Sequence, residues 1–182
     1  GALTAAADGT VLIGYTAGAA LTSGADNLAI GETALLEHTT GVRNLAIGNG
    51  AMNATQAGGT QSTSAGSNDN IFIGFDSGGG AWTDAGTDEN VCIGNYTMDA
   101  NCADANTNVV IGHNAGSAIT SAGNNTLVGG SAGNTLLTGP YNICLGYNVQ
   151  PSDTDRQDQY TIGRACSNTA NSTILFGVAG NT

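Results

Sequence analysis

The chain has 182 residues and a net charge of −11; charged residues are only 9%, Lys is absent, and the cations are Arg43, Arg156 and Arg164. Phosphate backbones and anionic lipid both attract clustered Lys and Arg, so no nucleic-acid partner and no membrane insertion is expected. Aromatics at 5% exclude a core of large rings, while 29 glycines leave either disorder or a repeat fold whose turns need Gly in every copy.

The apolar residues recur, which favours the repeat. In chain order, Ile13-Gly14, Ile30-Gly31, Ile47-Gly48, Ile73-Gly74, Ile93-Gly94, Ile111-Gly112, Val128-Gly129, Leu145-Gly146, Ile162-Gly163 and Phe176-Gly177 share one local pattern. Their glycines lie 17, 17, 26, 20, 18, 17, 17, 17 and 14 residues apart. Four residues before the glycine stands Asn27, Asn44, Asn70, Asn90, Asn108, Asn125 or Asn142. Three residues after it stands a small residue, as at Ala34, Ala51, Ser77 and Ala115. Two or three glycines per unit, each costing about 1 kcal/mol in a helix interior, argue against helix. Short strands bounded by Gly and Asn fit better. The predicted fold is all-β: a parallel β-roll or β-solenoid of about ten 17-residue coils. Each coil would hold two strands and two tight corners. Stacked at 4.8 Å, ten coils make a rod of about 50 Å. The asparagines are expected to form a ladder at one corner.

The strand has two apolar faces. Residues one and three before the glycine share one face, because side chains alternate. The column between them is Leu12, Ala29, Ala46, Phe72, Cys92, Val110, Leu127, Cys144, Thr161 and Leu175. In a lone coil that in-between column would face water, yet it is apolar, and a strand apolar on both sides is buried on both. A second chain is therefore expected to cover it, with a closed three-fold arrangement as one solution. A second layer from the same chain is the alternative. Placing a charge at Val110 is accordingly expected to disrupt a subunit interface.

Residues 1–9 read as a lead-in, 10–55 as regular coils, 56–106 as coils with loop insertions, 107–150 as regular coils, and 151–182 as a closing segment. The start at Gly1 reads as that of a piece of something longer, and the closing segment as the approach to a further C-terminal region. The insertions fall in Gln56–Asp69 and in Ser77–Asp88, which holds the single Trp. Repeat insertions often map to a binding face. Trp82 with Asp84 and Asp88 is thus the candidate ligand site, an indole beside carboxylates suited to a sugar; Trp82 as a lid over the stack is the competing reading.

At these residues the chain resembles a known group. Asn27-Leu-Ala-Ile-Gly31, Asn44-Leu-Ala-Ile-Gly48 and Ile111-Gly-His-Asn-Ala-Gly116 look like repeats of bacteriophage tail-fibre proteins. The stretch from Gly146 to Gly163 resembles the segment closing such arrays, ahead of a self-cleaving chaperone of the endosialidase type. The repeats are also similar to head domains of trimeric autotransporter adhesins. The resemblance implies a homotrimer in a virion tail fibre, extracellular, serving as a structural shaft or distal repeat domain. It further implies a host cell-surface polysaccharide as candidate ligand. The alternatives are a polysaccharide-degrading phage spike and a bacterial trimeric surface adhesin.

The remaining chemistry is sparse. Four cysteines at 92, 102, 144 and 166 lack Cys-x-x-Cys spacing, so zinc is not expected. Cys92 and Cys144 lie three coils apart, about 14 Å by strand spacing, too far for a disulfide. Cys92, Cys144 and Cys166 read as small buried free thiols. His38 and His113 read as surface turn residues. Asp153, Asp155 and Asp158 alternate like calcium ligands but lack the Gly and terminal Glu of an EF-hand, and read as solvated charge. No catalytic residue, metal or cofactor is expected, and the chain reads as non-enzymatic.

Overall fold

In the computed structural model, which describes residues 8–53, 66–82, 86–168 and 170–178, every regular element is a strand. The strands are β1 (Val11–Ile13), β2 (Leu28–Ile30), β3 (Leu45–Ile47), β4 (Ile71–Ile73) and β5 (Val91–Ile93). They continue as β6 (Val109–Ile111), β7 (Thr126–Val128), β8 (Ile143–Leu145), β9 (Gln159–Arg164) and β10 (Thr173–Val178). All ten form one parallel sheet in sequence order, so the chain winds as a β-solenoid. The register superposes equivalent residues: Leu28 pairs with Leu45, Ala46 with Phe72, and Val110 with Leu127. Equivalent apolar positions therefore stack on one another along the rod.

Each coil carries one strand rather than two. The opposite wall is built of turns whose backbone groups still bond from coil to coil. Gly18 N donates to Ala34 O at 2.9 Å, and Leu35 N to Ala51 O at 2.9 Å. This wall cannot extend, because Thr33 and Leu35 hold φ at 57° and 56°. Most strands are three residues long, while β9 and β10 have six and widen the sheet at its end. The corner glycines are required by close approach as much as by φ. Gly112 has φ +134°, and a Cβ there would lie 2.5 Å from the Gly129 carbonyl oxygen.

The two sides of the strand are reversed from expectation. The in-between column points into the coil: Ala29, Ala46, Phe72, Cys92, Val110, Leu127 and Cys144 are all 0% exposed. They meet Ala34, Ala51, Ala115, Ala132 and Val149 in one continuous core. A three-residue strand offers one inward and two outward positions, and the interior takes the single one. Val110 thus belongs to its own coil's core. The columns one and three before the glycine face outward, with Val11, Ile13 and Ile93 at 47%, 55% and 39% exposure.

Candidate functional site

The most developed polar structure is the asparagine column. Asn27, Asn44, Asn70, Asn90, Asn108, Asn125 and Asn142 are all buried. From Asn27 to Asn125, each Oδ1 accepts two bonds from the next coil. Asn90 Oδ1 takes Asn108 N at 2.9 Å and Asn108 Nδ2 at 3.0 Å. Asn108 Oδ1 then takes Asn125 N at 3.0 Å and Asn125 Nδ2 at 3.1 Å. The spare amide hydrogen satisfies a corner carbonyl: Asn27 donates to Gly41 O at 2.7 Å, Asn90 to Ala105 O at 2.8 Å, Asn108 to Ala122 O at 2.9 Å. Only a side chain with both an acceptor and two donors closes this pattern. The column ends in substitutes. Thr10 Oγ1 accepts from Asn27 N at 3.3 Å, and Gln159 N donates to Asn142 Oδ1 at 3.1 Å.

A second, shorter ladder lies two residues earlier. Val42 N donates to Asn68 Oδ1 at 3.0 Å, Asn68 N to Asp88 Oδ1 at 2.6 Å, and Asp88 N to Asn106 Oδ1 at 2.6 Å. Sequence reasoning missed it; the signal is Asn, Asp and Asn six residues before Gly74, Gly94 and Gly112. Asp88 is thus a rung that positions backbone. Asp84 lies outside the described residues.

Trp82 is 0% exposed and has no indole face to offer a sugar. Its ring packs against Phe72 of the same coil and edge-on against His38, each at 5.3 Å between centroids. It is a core residue. The site expected at Trp82, Asp84 and Asp88 is therefore not assembled around an accessible ring. His38 is likewise 0% exposed rather than superficial. It stands seven residues after its glycine, where Leu21, Ile119 and Leu136 stand in other coils. Burial pushes its imidazole down to about 4, partly offset by the Met52 backbone. His113 is exposed as expected.

The exposed aromatic surface of the middle coils lies elsewhere. Phe75, Tyr96 and His113 stack edge-to-face along the rod, with centroids 5.4 Å and 5.8 Å apart. Among the carboxylates, burial raises Asp76 and Asp99, and the Asp76 charge adds to the shift at Asp99. Arg43 binds Asp69 of the next coil through Nε at 2.6 Å and Nη2 at 2.7 Å, an exposed bidentate pair that lowers the Asp69 carboxyl.

All four cysteines are free thiols, with Cys92, Cys102 and Cys144 buried and Cys166 half-buried. Burial pushes Cys102 and Cys144 up to about 12, so their reactive thiolates are suppressed. Among the described residues, no group of three or more His, Cys, Asp or Glu is placed to hold a metal ion. No helix there is long and apolar enough to cross a membrane.

The outward face of the sheet is an apolar surface with no assigned role among the described residues. Its two columns run from Val11 and Ile13 to Ile174 and Phe176 and carry no charged side chain. Family models, curated proteins and solved structures were compared with the chain, and none matches.

Proposed function

We propose that the chain is a structural shaft segment of a trimeric viral tail fibre, placed towards the distal end. The observation that supports this reading most is the continuous ladder from Thr10 to Gln159. From Asn27 to Asn142 each coil bonds to the next through both backbone and buried amide, so bending the rod strains a whole column of hydrogen bonds. Such a module supplies length and stiffness. Its coils repeat nearly one surface and so discriminate poorly between ligands. The outward sheet face, apolar along its length and partly exposed, supports assembly with further copies. Contact with a host-surface sugar, in this reading, falls on exposed side chains and not on Trp82.

The test is location. Antibodies raised against the folded chain should decorate the fibres of intact virions in electron micrographs. Decoration of a bacterial surface would support the adhesin alternative and overturn the viral one. Release of reducing ends from capsular polysaccharide by the purified chain would overturn the structural role.

A further inference from the structure

We infer that the exposed aromatic row on the flank following β4 to β8 binds an uncharged, extended, β-linked glycan laid along the rod. The inference rests on the reading above, in which sugar contact falls on exposed side chains, and names those side chains and the class of sugar.

The row is made by residues one or two places past the strand glycines: Phe75, Tyr96, His113 and Tyr147. Phe75, Tyr96 and Tyr147 are exposed by 43%, 36% and 63%, and His113 is exposed as well. Centroid separations of 5.4 Å and 5.8 Å join the first three into one file. Tyr147 carries the file on, because its ring lies against Gly130, where a Cβ would stand 3.3 Å from Tyr147 Cδ2. The row thus runs from the β4 coil to the β8 coil, about 19 Å at the strand spacing. Large apolar side chains exposed singly need no explanation, but a contiguous row of them marks a binding surface.

The chemistry of the row selects the ligand. Neighbouring rings are turned by 72° and 80°, so each edge-to-face contact covers one face of one ring at most. Open ring faces suit the apolar C–H face of a pyranose. Amides stand among them. Asn95 Oδ1 accepts from Phe75 N at 2.9 Å, which holds that side chain beside the rings, and Asn114 directly follows His113. A carboxamide both donates and accepts, as sugar hydroxyls do. The adjacent carboxylate, Asp76, accepts instead from Asn53 Nδ2 at 3.5 Å. The ring spacing is close to the advance per sugar along a straight β-1,4-linked chain, so successive units meet successive coils; a helical α-linked glycan would curve off the row. Charge narrows the class further. Residues 70–150 contain no Lys or Arg and the chain carries −11, so a uronic-acid polymer finds no cation there and is repelled.

Calorimetric titration of the native chain with chitin oligomers (β-1,4-linked N-acetylglucosamine) of two, four and six units tests the inference. Affinity should rise from two units to four, level off at six, and be unchanged by added salt. Phe75→Ala and Tyr96→Ala should each weaken binding by up to about tenfold. Tyr15→Ala and Tyr141→Ala, which remove exposed rings outside the row, should leave it unchanged, with circular dichroism confirming the fold of all four variants. Absence of binding by the six-unit oligomer would overturn the inference, as would undiminished binding in the double variant Phe75→Ala/Tyr96→Ala. Equal affinity for two and six units would overturn the extended site, and tighter binding of polygalacturonate would overturn the uncharged class. Absence of sugar binding together with antibody decoration of virion fibres overturns this inference and leaves the shaft reading standing; sugar binding without decoration does the reverse.

Discussion

Replacing Asn108 by Ala removes one rung from the middle of the ladder. Four hydrogen bonds vanish: those from its Nδ2 to Asn90 Oδ1 and Ala122 O, and those to its Oδ1 from Asn125 N and Nδ2. The losses are unequal. Asn90 Oδ1 still holds the backbone N of residue 108, and Asn125 Nδ2 still holds Gly123 O at 3.1 Å. The Asn125 backbone N–H and the Ala122 carbonyl lose their amide partners inside a dry corner. Each such orphan costs about 1–3 kcal/mol, so the expected loss is about 4 kcal/mol. An exposed turn residue replaced by Ala would change stability by only about 0.5 kcal/mol. Asn108→Asp should fare no better, because a carboxylate has no donor for Ala122 O and faces the Asn90 oxygen. Chemical denaturation followed by circular dichroism, on refolded and parent protein alike, measures the difference. A loss under about 1 kcal/mol for Asn108→Ala would refute the view that the column supports the coil corners.

Trp82→Ala should cost about 3–5 kcal/mol of stability, read by thermal melting, with adsorption to host cells or glycans unchanged. Val110→Asp should prevent native folding of the chain, whereas Ile111→Asp, one residue on and facing outward, should give a folded chain of lower assembly state; sedimentation and circular dichroism separate the two. His38 stays neutral when folded, so lowering pH from the free value near 6.5 to about 4 favours the unfolded chain, which binds the proton first. That slope is about 1.4 kcal/mol per pH unit, about 3 kcal/mol in all, and His38→Leu should flatten it in denaturation curves taken across pH 4–7. In native protein a thiol reagent at pH 8 should leave Cys92, Cys102 and Cys144 unmodified and label them on unfolding.

The repeat was legible because its constraint is geometric. Gly112 must avoid the next coil's carbonyl and Asn108 must bridge two coils; the glycine recurs in all ten coils and the asparagine in the seven from Asn27 to Asn142. The period therefore places β1 to β9 with their bounding glycines. What failed was the sense of the strand. A run such as Val109-Val110-Ile111 is apolar throughout, so alternation alone does not say which side faces in. The coil's narrow interior decides it, and that width comes from the opposite wall of Ala and positive-φ turns. His38 and Trp82 were misplaced for a related reason. A polar ring in a polar stretch looks superficial unless its position is compared with Leu21 and Leu136 in other coils. Trp82 falls eight residues after its glycine instead of seven, in a coil of irregular length. That offset hid the equivalence. Asp88 looked like a free acid because the second ladder has only three rungs.

Sedimentation equilibrium on the native chain tests the central claim most directly, since the account depends on the outward sheet face being covered by further copies. The expected result is a single species of three times the 17.9 kDa chain mass, unchanged on dilution through the micromolar range, that falls to one chain in Ile111→Asp. A folded parent protein sedimenting at the mass of one chain would contradict it.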